Sequence, residues 1–244
     1  IRRQRQMCIR DRLTTEHASA EDICQVFVAI NTYLKQAGFR KCIYKPIPWI
    51  YQQQPAEEDL YALFKECHAQ ICARNIAAVI DMKHPPKWYN IRKSGARKAQ
   101  ESGIHIEESE DYATFWSILT ENLMNTYHAH PVHTLQEMIR LKASFPDNIK
   151  LYVARSETGK MLGGTVLYIS RKVVHTQYIS ASEEGKQSHA LDALFQDLIK
   201  IRYKDLDYFD FGTSNEEGGK VLNASLIYQK EGFGGRRVVY DTYE

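Results

Sequence analysis

From residue 19 the chain carries apolar positions at helical spacing. Ile23, Val26, Phe27, Ile30, Tyr33 and Leu34 recur every three or four residues and stop at Gly38. Ser19, with Asp22 three residues later, has the sequence of a capping box. A helix is therefore predicted over 19–38. A strand at 41–44 leads to Pro46 and Pro48, a short helix covers 56–65, and 69–82 reads as one or two strands. His84-Pro85-Pro86 interrupts the pattern, and a basic helix follows over 87–102, ended by Gly103.

Past that break the pattern continues with a strand at 104–107 and a helix at 112–127. The box Thr134 to Glu137 opens a further helix that finishes before Pro146. Residues 150–155, 162–169 and 172–179, with the turn Glu157-Thr158-Gly159-Lys160, predict an antiparallel meander. A helix over 188–203 precedes the apolar strand 208–211, closed by Gly212, and 213–219 has loop chemistry. From Lys220 onward, Val221, Leu222, Ser225, Leu226 and Tyr228 give a helical stripe stopped by Gly232. A strand over 238–243 ends the chain. The periodicity by itself supports a mixed α/β domain.

Two motifs sharpen this. Tyr208-Phe209-Asp210-Phe211-Gly212, followed by Lys230-Glu231-Gly232-Phe233-Gly234-Gly235 and a closing aromatic strand, resembles the C-terminal half of Fem-type transferases of the wider GNAT acyltransferase superfamily. The resemblance covers 88–244 well and 19–82 more loosely. It implies a GNAT-like, mostly antiparallel mixed sheet flanked by helices over 87–244. It also implies a truncated second GNAT-like domain at the N-terminus, 13–86, since Fem-like proteins are built as two such domains.

Composition bounds the picture. The 244 residues are 43% hydrophobic and 25% charged, enough for a sizeable core. No apolar run approaches the roughly 18 residues of a spanning helix. Residues 2–12, Arg2-Arg3-Gln4-Arg5-Gln6-Met7-Cys8-Ile9-Arg10-Asp11-Arg12, resemble a transposon adapter from sequencing libraries translated in frame. We therefore set 1–12 apart from the fold as a scar, and expect the natural protein to begin further upstream. Removing that segment's net +4 from the overall +2 leaves −2, which removes most of the electrostatic case for a nucleic-acid partner. Cys24, Cys42, Cys67 and Cys72 include no C-x-x-C pair, sit in apolar segments and read as buried free thiols of a reducing cytoplasm.

Acyl transfer to an amine needs a base for the nucleophile, a positive group where the oxyanion forms and a proton for the leaving group. His175 and Gln177 fall on one face of the strand and can line a cleft; His175 also reads as an ordinary core histidine. Under regular alternation Tyr178 points to the opposite face, and joins that cleft only if a bulge intervenes. Asp210, between two phenylalanines, is a general-base candidate, or else a cap or a partner for a neighbouring Arg. The family resemblance implies that Lys230 stabilises charge developing at the acyl carbonyl. Arg92 on the basic helix, Asn215 in the loop after the strand, and His133 complete the substrate-binding candidates.

His128, His130 and His133 lack the spacing of a zinc site. In GNAT enzymes the turn equivalent to 182–190 grips coenzyme A. This chain keeps Gly185, followed by Lys186, Gln187 and Ser188 as cofactor-binding candidates, but departs from the pattern at Ser182 and Gln187. Asp210-Phe211-Gly212 also spells a kinase triplet, which is rejected because no Gly-rich nucleotide loop or H-R-D segment accompanies it.

These readings predict a bacterial acyltransferase that moves an aminoacyl or acetyl group, from aminoacyl-tRNA or acetyl-coenzyme A and without a metal, to a primary amine of a cell-envelope precursor. The acceptor would be a peptidoglycan peptide or an amino sugar, met in the cytoplasm or at the inner membrane surface. A coenzyme A-dependent small-molecule N-acetyltransferase, a non-catalytic RNA-binding module docking through the basic helix, and an inactive fragment stand as alternatives.

Overall fold

The computed structural model describes residues 17–244; the adapter-like segment 1–12 lies outside the described residues. The first helix, α1, spans Ala20–Gln36. Its predicted capping box is formed: the Asp22 amide donates to Ser19 Oγ at 3.1 Å and the Ser19 amide to Asp22 Oδ2 at 2.9 Å. Such a cap is worth about 1 kcal/mol. Helix α2 (Glu58–Lys65) and one long strand, β1 (Ile71–Asp81), follow. The strand expected at 41–44 is reduced to a single bridge between Tyr44 and Tyr243.

The basic helix is α3 (Asn90–Glu101), then come β2 (His105–Ser109), α4 (Tyr112–Tyr127) and α5 (Leu135–Ser144), the last opened by its predicted box. The meander is β3 (Ile149–Arg155), β4 (Met161–Ile169) and β5 (Val173–Ala181). The single helix predicted over 188–203 is instead α6 (Glu183–Gln187), α7 (Ala190–Asp197) and a π turn at Leu198–Arg202. His189, left-handed at φ 59°, interrupts the helical path. Strand β6 (Tyr208–Thr213) contains the F-D-F-G run. The apolar stripe expected to open a helix at Val221 instead starts with a two-residue strand: β7 (Asn215–Glu216) pairs with β8 (Val221–Leu222), and α8 begins later, at Ala224–Gly232. Strand β9 is Arg236–Tyr243.

Two compact units result. The smaller comprises the residues up to Ala77, with Thr213–Ala224 and Val238–Glu244. In it Ile23, Cys24 and Phe27 of α1 pack on Ala62 and Leu63 of α2. Arg74 of β1 donates through Nε and Nη2 to Asp241 of β9, at 2.6 and 2.8 Å.

The larger unit is Ala78–Gly212 with Ser225–Arg237. Its strands run β2-β3-β4-β5-β6, then the 78–81 end of β1. The first four pair antiparallel, and β5 pairs β6 in parallel. Two apolar layers cover the sheet. One joins Leu167, Val174, Phe209 and Phe211 to Leu194 and Phe195 of α7; the other joins Val153, Val166 and Tyr178 to Phe115 and Trp116 of α4.

Candidate active site

The parallel pairing of β5 with β6 runs from Val173 opposite Tyr208 to His175 opposite Asp210 and goes no further. Strand β5 continues to Ala181, so the two strands part beyond that last rung. Strands that separate in this way leave backbone N–H and C=O groups along an inner edge, where an extended ligand can take them up.

His175 and Asp210 meet at the point of parting. Alternation along β6 sends Phe209 and Phe211 into one apolar layer and Asp210 to the opposite face. The Asp210 side chain is fully buried. Its Oδ2 lies 2.8 Å from His175 Nδ1, and its Oδ1 accepts the Gly212 amide at 2.7 Å. A buried carboxylate needs such partners to remain charged. With Nδ1 donating to Asp210, the Nε2 of the imidazole carries a lone pair and, among the described residues, no hydrogen-bond partner.

Gly212 adopts φ +68°, a conformation that favours glycine, and turns its carbonyl toward α8. Lys230 Nζ donates to that carbonyl at 3.1 Å. The ammonium is buried, 6% exposed as a residue. Desolvation pushes its pKa down to about 8, against a smaller opposing pull from the Asp210 charge. The segment just after Lys230 holds it in place. Phe233 inserts against Trp88, Phe195 and Phe211, with ring centroids 5.1 to 5.7 Å apart. Gly234 turns at φ +94°, and a side chain on Gly235 would meet the Lys230 carbonyl at 2.9 Å.

A bulge decides where Tyr178 points. Val166 pairs with Tyr178 but its neighbour Leu167 pairs with Thr176, so Gln177 is an extra, half-buried residue on β5. The slip moves Tyr178 onto the face carrying His175 and Tyr168, whose rings are 6.5 Å apart. The Tyr178 hydroxyl accepts the His133 amide at 3.1 Å and lies 2.7 Å from His133 Nδ1. Trp116 packs edge-on against the Tyr178 ring.

The remaining candidates are placed elsewhere. Arg92 faces inward, not into solvent. It donates to Asp192 at 2.9 Å, stacks over Phe233 and so ties α3 to α7. Within the smaller unit, Asn215 uses both ends of its amide on β1: Oδ1 accepts the Ile76 amide and Nδ2 donates to Asn75, each at 2.7 Å. Gly185 packs so tightly on β4 that a Cβ would stand 2.0 Å from the Leu162 carbonyl. Its amide goes to Ser182 Oγ. Lys186 is drawn to Asn122 and Glu183, and Glu183 and Glu184 occupy the first turn. That turn therefore presents an anion with two carboxylates, and its Gly185 amide is already taken. Gln187 and Ser188 close the short α6, the Ser188 amide bonding back to Glu184.

Sequence reasoning missed Gly212 as the acceptor for Lys230, Tyr168 as the ring beside His175, and Asp192 as the partner of Arg92. Only the glycine carried a signal, as the residue closing an apolar strand. Among the described residues no three His, Cys, Asp or Glu side chains stand together as metal ligands. No helix among them is long and apolar enough to cross a membrane.

Comparison with known proteins agrees with the fold. The sequence matches the acetyltransferase (GNAT) domain family over residues 88–218. No curated protein matches it significantly. Among solved structures, FemX aligns with TM-score 0.68 at 11% identity, covering 91% of this chain and 77% of that one. The C-terminal domain of a protein described as a lysylphosphatidylglycerol synthetase from Agrobacterium fabrum aligns with TM-score 0.63 at 13% identity, covering 93% and 73%. L-PGS from Bacillus licheniformis aligns with TM-score 0.61 at 12% identity, covering 90% and 72%.

Proposed function

Because the chain belongs to the acetyltransferase (GNAT) domain family and is an acyltransferase, we propose that it moves an aminoacyl or acetyl group onto a primary amine of a cell-envelope precursor, a peptidoglycan peptide or an amino sugar. The observation that carries this reading is the array His175, Asp210, Gly212 and Lys230 at the parting of β5 and β6.

In the proposed reaction the acyl donor lies along the β5 edge that β6 leaves unpaired beyond His175, with its carbonyl carbon near the Lys230 ammonium. His175 Nε2 accepts a proton from the incoming amine, and Asp210 fixes the ring and balances the imidazolium that forms. The amine nitrogen bonds to the carbonyl carbon. Lys230 offsets negative charge on the carbonyl oxygen until the bond to the leaving oxygen or sulfur breaks. In this reading Tyr178, on the same face as His175, returns a proton to the leaving group. Asp210 has both oxygens engaged, so its role here is to orient His175 and not to meet the amine. Transfer is direct, with no acyl-enzyme intermediate.

The envelope acceptor is supported by the Fem-type motifs and by the structural neighbours named FemX and lysylphosphatidylglycerol synthetase. An aminoacyl donor is favoured by the 182–188 turn, whose two first-turn carboxylates and committed Gly185 amide suit a coenzyme A pyrophosphate poorly. The test is parallel incubation of the chain with radiolabelled acetyl-coenzyme A or charged tRNA and an amine-bearing muropeptide or amino sugar. Label is expected in the amine product. Absence of transfer from both donors to either amine overturns the reading, and transfer from acetyl-coenzyme A alone selects the N-acetyltransferase alternative.

A further inference from the structure

The smaller unit leaves apolar surface exposed where its helical pattern predicted a core. Val26, Ile30 and Tyr33 of α1 recur at i, i+4 and i+7, yet are 48%, 44% and 68% exposed, because the helix buries only the neighbouring face of Ile23, Cys24 and Phe27. Directly after α1 the chain turns at Gly38, φ +77°, and presents Phe39 at 61% exposure and Ile43 at 38%.

Charge is distributed to match. Between residues 33 and 45 the sequence holds Lys35, Arg40, Lys41 and Lys45 and no Asp or Glu. Lys35, Arg40 and Lys41 are exposed, and Lys41 pairs with Glu244 at 2.6 Å while its side chain stays 54% exposed. Aromatic and aliphatic side chains standing out among cations suit a surface that is oily inside and negatively charged at its boundary. A protein partner would have to supply an acidic rim and an apolar centre together, whereas an anionic bilayer has both by construction.

We propose that the end of α1 and the following loop, carrying Tyr33, Phe39 and Ile43 among Lys35, Arg40 and Lys41, dock the protein on an anionic phospholipid surface. The apolar groups enter the acyl boundary and the cations meet lipid phosphates. These residues belong to the smaller unit and the candidate active site to the larger, so the docking stands or falls independently of the chemistry proposed above.

The test is co-sedimentation of the full chain with phosphatidylcholine vesicles and with vesicles that also contain phosphatidylglycerol. Binding is expected only to the anionic vesicles and should weaken as salt rises. Phe39→Ser and the double variant Arg40→Gln with Lys41→Gln should each lower the bound fraction, the double variant on the order of tenfold. Both should melt like the parent and keep transfer to a soluble amine unchanged. Equal binding to the two vesicle types, no binding to either, or binding insensitive to these substitutions overturns the proposal. So does a concentration-dependent dimer that Phe39→Ser dissolves, which would assign the surface to a second copy of the chain.

Discussion

His175 Nδ1 lies 2.8 Å from Asp210 Oδ2 across the last rung of the parallel pair β5 and β6. The carboxylate is fully buried and its other oxygen is held by the Gly212 amide, so the imidazole is fixed from behind and open at Nε2. Asp210→Asn keeps an acceptor for Gly212 but presents an amide to Nδ1. Transfer should fall by roughly a hundredfold or more, as expected for a mis-set general base, with the thermal midpoint little changed. A variant retaining full turnover would remove His175 and Asp210 from the mechanism; initial rates beside a melting curve decide.

Lys230 is expected to act as a cation. Its pKa, depressed by burial to about 8, makes the charged form dominant at neutrality and lost as pH climbs through that value. The turnover rate should therefore drop above about pH 8. Lys230→Arg should shift that limb to higher pH, and Lys230→Ala should remove it along with most of the activity. A pH–rate profile unchanged in Lys230→Arg would assign the limb to another group.

The same burial affects stability, with a definite sign. The folded state holds fewer protons on Lys230 than the unfolded chain between about pH 8 and the ordinary 10.5, so its contribution to unfolding free energy rises with pH across that window. Below about pH 8 the full cost of burying the charge remains. Denaturant midpoints measured across the window, parent against Lys230→Met, should show the rise in the parent and its loss in the variant.

Gly212→Ala should damage the site through geometry. The position has φ +68°, which costs a side chain about 1 kcal/mol, and the new Cβ would meet His175 Cε1 at 3.2 Å. Turnover is expected to fall much further than this stability loss explains, because the imidazole must shift away from Asp210. Parallel losses in rate and stability would indicate a purely structural glycine.

Arg92 and Asp192 form a buried pair whose side chains are 18% and 4% exposed. Arg92→Met leaves the carboxylate without its main partner and should destabilise the fold by about 3 kcal/mol, His189 at 3.3 Å providing partial relief. Adding Asp192→Asn should recover part of that loss. A double-mutant cycle by chemical denaturation measures it, and additive effects would show that the pair is uncoupled.

Legibility from sequence followed the range of the interaction. The boxes Ser19 to Asp22 and Thr134 to Glu137 act over three residues, so both helix starts were readable, as was α4 at 112–127. The helix expected from Val221 failed because β7 claims Val221 and Leu222 for a hairpin, a pairing their apolar spacing does not encode. Lys230, Asp210 and His175 were each visible as unusual polar residues in apolar runs or as motif positions. Arg92 and Asn215 also stood out, but the structure commits them to Asp192 and to β1.

By itself, then, the sequence determined most of the element types, their approximate order and the family to which the chain belongs, since periodicity, caps and glycine-closed motifs are local and survive without a partner. The tertiary structure alone decided which polar groups share a site. The bulge at Gln177 turned Tyr178 onto the His175 face, and the fold brought His175, Asp210, Gly212 and Lys230 together at the parting of β5 from β6, across as many as 55 positions of chain. Strand register and parallel pairing are set by the packing of distant side chains, and a shift of one residue exchanges the two faces of a strand.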